Sequence, residues 1–455
     1  MFTLNQGQEF IVQEAVKWYY KSPEQVFQYD GPPGAGKSVV LDEIVRRLNL
    51  NINTEIAPMS FIGSASLVMR MKGLFSAKTA HSWIYDVITV KKYNPNTGKE
   101  YKVQQFVKKS TLGSMIKLII VDEAYCMPDY IAADIKSFGI KIIACGDQNQ
   151  LPPVKALPGF LVNGKIYHLT EVMRQQGLDD IVFIANRAMM RLPLLNGYYG
   201  NSMVIDFNDI TDSMLLWADV VICCKNSTRD YFNHRIRTLK GYYTILPLYG
   251  ERLVCRNNNW NKEIKDRYGN SVNLVNGLIG TVLNSPDISS YSRKDKVIDI
   301  IFKPDLVDST EVFITTGNYN YLVGDSISRE EIKSNHYYKG DLFEYAYAIT
   351  CHVAQGGQFH KVIYIEEVMQ GNIQSSLNLV GATRADQQLI YVKPPSYEQA
   401  LEINKKAKEI NNKQKFEAEN IIDYSEKTIS KNKNKYSKAN KYKPNYNGNA
   451  DYITD

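Results

Sequence analysis

Eight residues, Gly31-Pro32-Pro33-Gly34-Ala35-Gly36-Lys37-Ser38, have the spacing GxxxxGK(S/T). Glycines at those places let a tight turn aim backbone N–H groups at phosphate oxygens. Lys37 adds a compact charge at the β- and γ-phosphates, and Ser38 adds a hydroxyl ligand for Mg²⁺. Further on, Leu118-Ile-Ile-Val-Asp-Glu123 is an apolar run that ends in two acids. Asp122 is the candidate to hold the metal, and Glu123 to orient or deprotonate an attacking water, a task that hydrolysis needs and mere phosphate binding does not. The stretch Gly146-Asp-Gln-Asn-Gln-Leu-Pro-Pro153 contributes Gln148, whose amide donates and accepts and can therefore sense a γ-phosphate. Arg174 in LTEVMRQ and Arg384 in VGATRADQQ are candidates to neutralise charge on a phosphoryl group in transfer. An arginine supplied by a second domain would couple that chemistry to domain closure. Each motif has a plainer reading taken singly: a glycine turn, an N-cap pair, a polar loop, surface arginines.

These groups can act together only if the fold brings them to one edge. Short apolar, β-rich runs at Val26–Tyr29, Thr54–Ala57, Leu118–Val121 and Ile140–Cys145 alternate with helical segments, which predicts a parallel sheet with crossovers. Ligands of such sheets collect at the carboxyl ends of the strands, where the glycine turn, Asp122-Glu123 and the Gln148 loop would all lie. Lys78–Lys117 breaks the rhythm with two alternating runs around Asn-Pro-Asn-Thr-Gly, a hairpin signal. From Ala218 a second α/β rhythm begins, interrupted at roughly 247–343 by a segment rich in Asn, Gly, Tyr and β-branched residues, as a small β-barrel insertion would be, and resumed at Tyr345–Thr350, Val362–Ile365 and Leu389–Val392. The chain is thus expected to be α/β. Its units are 1–175 with a β-hairpin insertion at 82–116, then 176–246 with 344–395, the insertion 247–343, and a helical extension with a Lys/Asn-rich, disordered tail at 396–455.

Composition narrows the class. With 455 residues, 44% hydrophobic and 22% charged, a disordered or disulfide-scaffold chain is excluded. Cysteines at 126, 145, 223, 224, 255 and 351 form no CxxC pair, so neither a zinc ribbon nor a disulfide framework is suggested. No run of 18 apolar residues occurs, and MFTLNQGQEF lacks a basic region and an apolar core, which points to a cytoplasmic protein without a membrane partner. Residues 405–455 hold twelve lysines against seven acids, so the net charge of +6 belongs mostly to the tail and the body is nearly neutral. Charge alone therefore makes no case for a polynucleotide. The tail reads as a solvated segment or as a loose hold on a single strand through lysines and tyrosines.

Taken together, the motifs resemble those of superfamily 1B DNA helicases, RecD-like and Dda-like, over about 390 residues. The likeness rests on LNQGQEF with Gln8, the P-loop, APMSFIGSA, KTAHSW, VDEA, GDQNQLPPV, LTEVMRQ, AITCHVAQGGQF and VGATRADQQLIYV, in that order. It implies two RecA-like P-loop domains, the first with a β-hairpin insertion and the second with an SH3-like β-barrel insertion. It also implies ATP and Mg²⁺ as cofactors, and 5′ to 3′ unwinding driven by ATP hydrolysis. By the same likeness Gln8 reads the adenine, Gly356 belongs to the nucleotide site, and Pro58, Ser60, Phe61, Thr79, His81, Thr350, His352 and Gln355 line a path for single-stranded DNA. Tyr93 and Tyr101 on the hairpin are the candidate duplex wedge, the alternative being a decorative ribbon. Two departures stand out: Met59-Ser60-Phe61 where relatives often have Thr-Gly-Lys, and His-Val-Ala-Gln-Gly-Gly-Gln-Phe where His-Lys-Ser-Gln-Gly-x-Glu-Phe is usual. The partners implied are single-stranded DNA, duplex junctions and, through the tail, a single-strand-binding or replisome protein, with the chain acting as a monomer. Two other functions remain open at this stage: a translocase or ATPase subunit that needs a partner to unwind, and a non-motor nucleic-acid-binding protein with a vestigial nucleotide site.

Overall fold

The computed structural model describes residues 4–93, 100–171, 179–286, 296–334, 338–371 and 373–417. Strands β1 (Val26–Asp30), β2 (Ile56–Ser60), β3 (Lys78–Thr79), β4 (Tyr85–Tyr93), β5 (Glu100–Lys108), β6 (Leu118–Asp122), β7 (Lys141–Gly146) and β8 (Ile166–His168) come first. Six of them form a parallel sheet in the order β3-β2-β6-β7-β1-β8. Leu118 to Val121 are fully buried, as the unbroken apolar run requires of a strand covered on both faces. Helix Gln6–Lys21 lays Ile11, Val12, Ala15 and Trp18 on one side of that sheet, and Asn5 and Gln8 close a reciprocal capping box at its start. β4 and β5 pair as an antiparallel hairpin from Tyr85↔Lys108 to Tyr93↔Glu100; its expected turn at 94–98 lies outside the described residues.

One strand runs differently from the expectation. The second strand begins at Ile56 and continues through Pro58 to Ser60, although proline is a poor residue inside a sheet. The reason is local. β3 pairs with β2 only from Met59 onward, so Pro58 has no strand on that flank, and its carbonyl accepts instead from the Trp83 indole at 2.8 Å.

The remaining strands, β9 (Gly197–Tyr199), β10 (Ser202–Ile205), β11 (Val220–Cys223), β12 (Arg252–Cys255), β13 (Asn259–Lys265), β14 (Ser271–Leu274), β15 (Ile279–Val282), β16 (Val297–Pro304), β17 (Phe313–Asn318), β18 (Phe343–Tyr345), β19 (Ala348–Thr350), β20 (Phe359–Ile365) and β21 (Ala385–Val392), divide between two further bodies. A second sheet, ordered β19-β11-β20-β21-β10-β9, is parallel except for its last pair. An antiparallel sheet, β17-β16-β15-β12-β18, carries the ribbon β13-β14. It curls toward closure: Asn318 N donates to Asp341 O at 2.8 Å and Asp341 N to Thr316 O at 2.7 Å, bringing the end of β17 to the approach of β18.

The curled sheet is tied to the second parallel sheet by a buried charge hub. Glu344 on β18 accepts from Arg229 at 3.1 Å and from Tyr321 OH at 2.9 Å, with Arg256 at 3.5 Å; Arg229 and Arg329 also meet Asp230. Three guanidinium groups and Lys333 hold the Glu344 carboxyl far below the usual carboxylate range, against the opposing effect of its burial. Its contribution to stability is therefore fully present above the ordinary carboxylate range and is lost progressively as pH falls from that range into strong acid. Glu344→Ala, which leaves these cations buried without a counter-charge, is expected to destabilise the fold by about 3–5 kcal/mol in urea titrations at pH 7. A loss below about 1 kcal/mol would show that the hub is surface-like.

Candidate functional site

The P-loop follows β1 at the carboxyl edge of the first sheet. Gly34 and Gly36 have φ of +86° and +80°, and a Cβ at Gly36 would stand 2.4 Å from Gln8 Nε2, so this turn accepts only glycine there. The backbone of Gly31, Pro32, Pro33, Gly34, Ala35 and Gly36 thus opens into helix Lys37–Leu48, whose start has no side-chain cap. Uncapped N–H groups at a helix start are the donors that phosphate oxygens need. Lys37 Nζ donates to the carbonyls of Gly31 at 2.7 Å and Pro32 at 3.2 Å, across the mouth of the turn.

Asp122 ends β6 beside it. Its Oδ1 accepts from the Glu123 amide at 2.9 Å and from Cys145 Sγ at 3.3 Å. Glu123 has φ of +50°, left-handed for a residue with a side chain, which turns the chain sharply off the sheet edge into the 3-10 turn Ala124–Cys126. Burial raises the Glu123 pKa above the ordinary glutamate value, and the charges of Asp122 and Asp147 add to the rise. Lys37 and Arg384 pull it the other way. Asp147, likewise raised chiefly by burial, has an Oδ2 that is buried without a hydrogen-bond partner among the described residues. Such an orphaned oxygen beside Lys37 marks a place meant for a ligand or ordered water. Hard oxygen donors from Ser38 and Asp122, with that orphan nearby, suit Mg²⁺, and the glycine cradle suits a triphosphate.

Arg384 follows helix Gln374–Ala382 of the second sheet and is 6% exposed. Its guanidinium donates to Val380 O at 3.1 Å, Gly357 O at 3.1 Å and Thr383 Oγ1 at 3.3 Å, so it braces its own domain while its charge reaches Glu123. Gln148 is half-buried, with its amide nitrogen on Leu161 O. The same loop delivers Leu151, fully buried, into the apolar core of the second sheet. Arg174 falls outside the described residues, whereas Leu169 at the start of its segment is buried in the core of the first sheet. Gly356, at φ +79°, abuts Ala65 of helix Gly63–Met71, so the structure gives it a contact between the two sheets.

Several expected roles change. Gln8 is 3% exposed, its Nε2 donates to Ala35 O at 3.1 Å and its Oε1 accepts from Asn5 N. Its amide is committed to bracing the P-loop and does not face an adenine in this conformation. Pro58, Ser60 and Thr79 are buried by the strands that carry them, and Thr79 Oγ1 caps helix Ala80–Ile84. Their side chains are covered in this conformation.

The other path candidates converge. A cavity of about 250 Å³ between the two sheets and the curled sheet is lined by Phe61, Arg256, Asn258, Asn276, His352 and Gln355. Thr350 is buried beneath it at the end of β19. Desolvation lowers the pKa of His352, with Arg256 adding to the effect, and lowers that of His81 by itself. His352 is exposed at the cavity wall and His81 half-buried, and a neutral imidazole can both donate and accept hydrogen bonds. Phe61, His81 and Phe106 form a row of rings with successive centroids 5.8 Å apart, leading from the cavity to the hairpin base. Tyr93 is exposed and donates weakly to Glu100 at 3.4 Å; Tyr101 pairs with Lys92 in the ribbon. Arg256 and Phe106 were not singled out in the sequence. The only local signal was an Arg amid asparagines and an aromatic in an alternating run, and neither says which way a side chain points.

Residues 3–187 match the family model of an AAA domain. A search of the curated proteins returned no match. Among solved structures, the chain is similar to the Pif1 helicase from Candida albicans, with 16% identity over 86% of this chain and 95% of that one at a TM-score of 0.43. It is also similar to Bacteroides Pif1 bound to ssDNA, with 15% identity over 86% and 92% at 0.47, and to Bacteroides Pif1 in complex with ADP-AlF3 and ssDNA, with 16% identity over 86% and 92% at 0.47.

The raised Glu123 pKa carries a stability consequence. An acid whose folded pKa lies above its unfolded value penalises folding once ionised. Glu123→Gln is expected to raise the melting temperature at pH 7–8 and to lose that advantage as pH falls toward the ordinary glutamate range. Thermal melts from pH 4 to 8 check this; equal melting temperatures throughout would mean that the carboxyl is solvated.

Proposed function

We propose that this chain is an ATP-driven DNA helicase of superfamily 1B character that moves 5′ to 3′ on single-stranded DNA and separates duplex ahead of it. In this reading the first and second parallel sheets are RecA-like domains, 1–175 and 176–246 with 344–395. The hairpin in 82–116 is an insertion of the first domain, and the curled sheet in 247–343 is an SH3-like insertion of the second. The observation that carries the reading is that one partly buried carboxyl, Glu123 just past the end of the first sheet's central strand, lies within electrostatic reach of both Lys37 of the P-loop and Arg384 of the second sheet.

The chemistry follows from that arrangement. Lys37 exchanges the Gly31 and Pro32 carbonyls for phosphate oxygens, and the glycine turn and helix start donate N–H groups to them. Ser38 and Asp122 would hold Mg²⁺, which when bound would supply charge neutralisation at the phosphates. Glu123, with its proton affinity raised, accepts the proton of the attacking water. Arg384, and Arg174 from the first domain, stabilise the charge on the transferred group. Because Leu151 is embedded in the second core, a change at Gln148 has a mechanical route to the other domain. Imidazoles, Gln355, Arg256 and a row of aromatic rings suit a strand whose bases are not read, as a motor on any sequence needs. No helix among the described residues is long and apolar enough to cross a membrane, and the reading assigns the chain to the cytoplasm as a monomer, with its tail free for a single-strand-binding or replisome partner.

ATP hydrolysis with and without single-stranded DNA, then unwinding of substrates with a 5′ or a 3′ overhang, tests motor, substrate and polarity. Turnover should rise with DNA and only the 5′ overhang should be unwound. Stimulated turnover without unwinding would mark a translocase that needs a partner, and no turnover would sink the enzyme reading. Lys37→Ala should abolish hydrolysis. Arg384→Ala should lower it by about 10³-fold or more, whereas a loss of only a few-fold would leave Arg384 a brace for its own domain.

A further inference from the structure

Helix Gly63–Met71 ends in a turn that fixes where its last side chains go. Gly73 N donates to Arg70 O at 3.0 Å and Leu74 N to Met69 O at 3.1 Å, with Gly73 at φ +101°, the bond pattern of a Schellman stop. Arg70 locks that turn by donating from Nε to Ala77 O at 2.6 Å. From the locked turn, Lys72 extends over the P-loop helix, and its Nζ donates to Ser38 Oγ at 3.0 Å. Asp42, one helical turn beyond Ser38, feels the charges of both Lys72 and Asp122. An ammonium therefore stands in the oxygen cluster that the preceding reading gives to a divalent cation. From the other side of the same turn, Arg70 Nη1 donates to Ser271 O on β14, and Glu263 and Asp266 of that ribbon act on its charge. Gly63, at the far end of the helix, has Val275 and Asn276 so close that a Cβ would meet Asn276 O at 2.9 Å, and Leu67 lies within the core of the curled sheet.

We propose that Lys72 is a positioning residue of the nucleotide site, whose ammonium competes with the divalent cation for Ser38 and whose displacement is passed through Arg70 to the β13-β14 ribbon. The proposal rests on the P-loop reading above. A metal on the same hydroxyl oxygen would place two cations in one cluster, where they repel. Without metal, the ammonium is bonded to Ser38 Oγ and can itself stabilise a bound diphosphate. With metal, the repulsion drives it away. Because the Schellman turn and the Arg70–Ala77 bond make residues 70–74 one unit, its departure reaches the Arg70 contact with Ser271.

The test is titration of a fluorescent mant-ADP into the full chain, without metal and across a MgCl₂ series, for the unmodified protein, Lys72→Met and Lys72→Arg. Lys72 is exposed, so both variants should melt like the parent. In Lys72→Met, metal-free binding should weaken roughly threefold to tenfold while the Mg²⁺ concentration for half-maximal effect falls by a similar factor; Lys72→Arg, which keeps the charge, should stay near the parent on both. A purely structural role would worsen both quantities together, and that result, or no change in either, overturns the competition. Amide hydrogen exchange across residues 259–274 should change on adding Mg²⁺ and ADP in the parent but not in Lys72→Met; an unchanged ribbon in the parent overturns the transmission. Failure of the parent to bind mant-ADP at all would instead bring down the P-loop reading itself.

Discussion

A carboxylate that is only partly exposed to water stands where two sheets meet. Glu123 directly follows a strand whose residues Leu118 to Val121 are wholly buried, and its left-handed backbone turns the chain at the sheet edge. Burial and two neighbouring acids raise its proton affinity, and only Lys37 and Arg384 among its main influences oppose them. The site is thus balanced by a charge from each sheet. Moving one domain changes the field at the carboxyl, which is the physical link between closure and chemistry in the proposed mechanism.

The contacts that would carry such motion are few and well placed. Leu151, from a loop of the first sheet, sits in the core of the second, and Gly356 beside the second sheet rests on Ala65 beside the first. The helix that contains Ala65 also meets the curled sheet through Gly63 and Leu67, and the P-loop serine through Lys72 just past its end. One helix therefore touches all three bodies that surround the cavity of Phe61, Arg256 and His352. On the opposite wall the Glu344 hub binds Arg256, so the cation exposed to the cavity is anchored by a charge that stays ionised even in acid.

Much of this was legible in the chain. The alternation of apolar runs and helical segments marked a parallel sheet, because strands covered on both faces cannot afford polar positions. The hairpin at Tyr85–Tyr93 and Glu100–Lys108 showed its alternation, and the glycine spacing before Lys37 admitted few alternatives once a strand preceded it and a helix followed. Local patterns reached their limit at Gln8, Pro58, Ser60 and Thr79. Their place in the motifs suggested contact with ligands, but capping, indole bonding and strand burial claim those groups first.

Residue type and order by themselves determined which elements form and which groups could do phosphate chemistry, since periodicity, turn chemistry and the valence of a side chain are properties of short stretches. Only the tertiary structure decided which of those groups face one another. The raised proton affinity of Glu123, the pairing of Lys72 with Ser38, the ring row from Phe61 to Phe106 and the charge hub at Glu344 all join residues far apart in the chain. Desolvation and Coulomb energy depend on distance through space, and no spacing along the sequence encodes that distance.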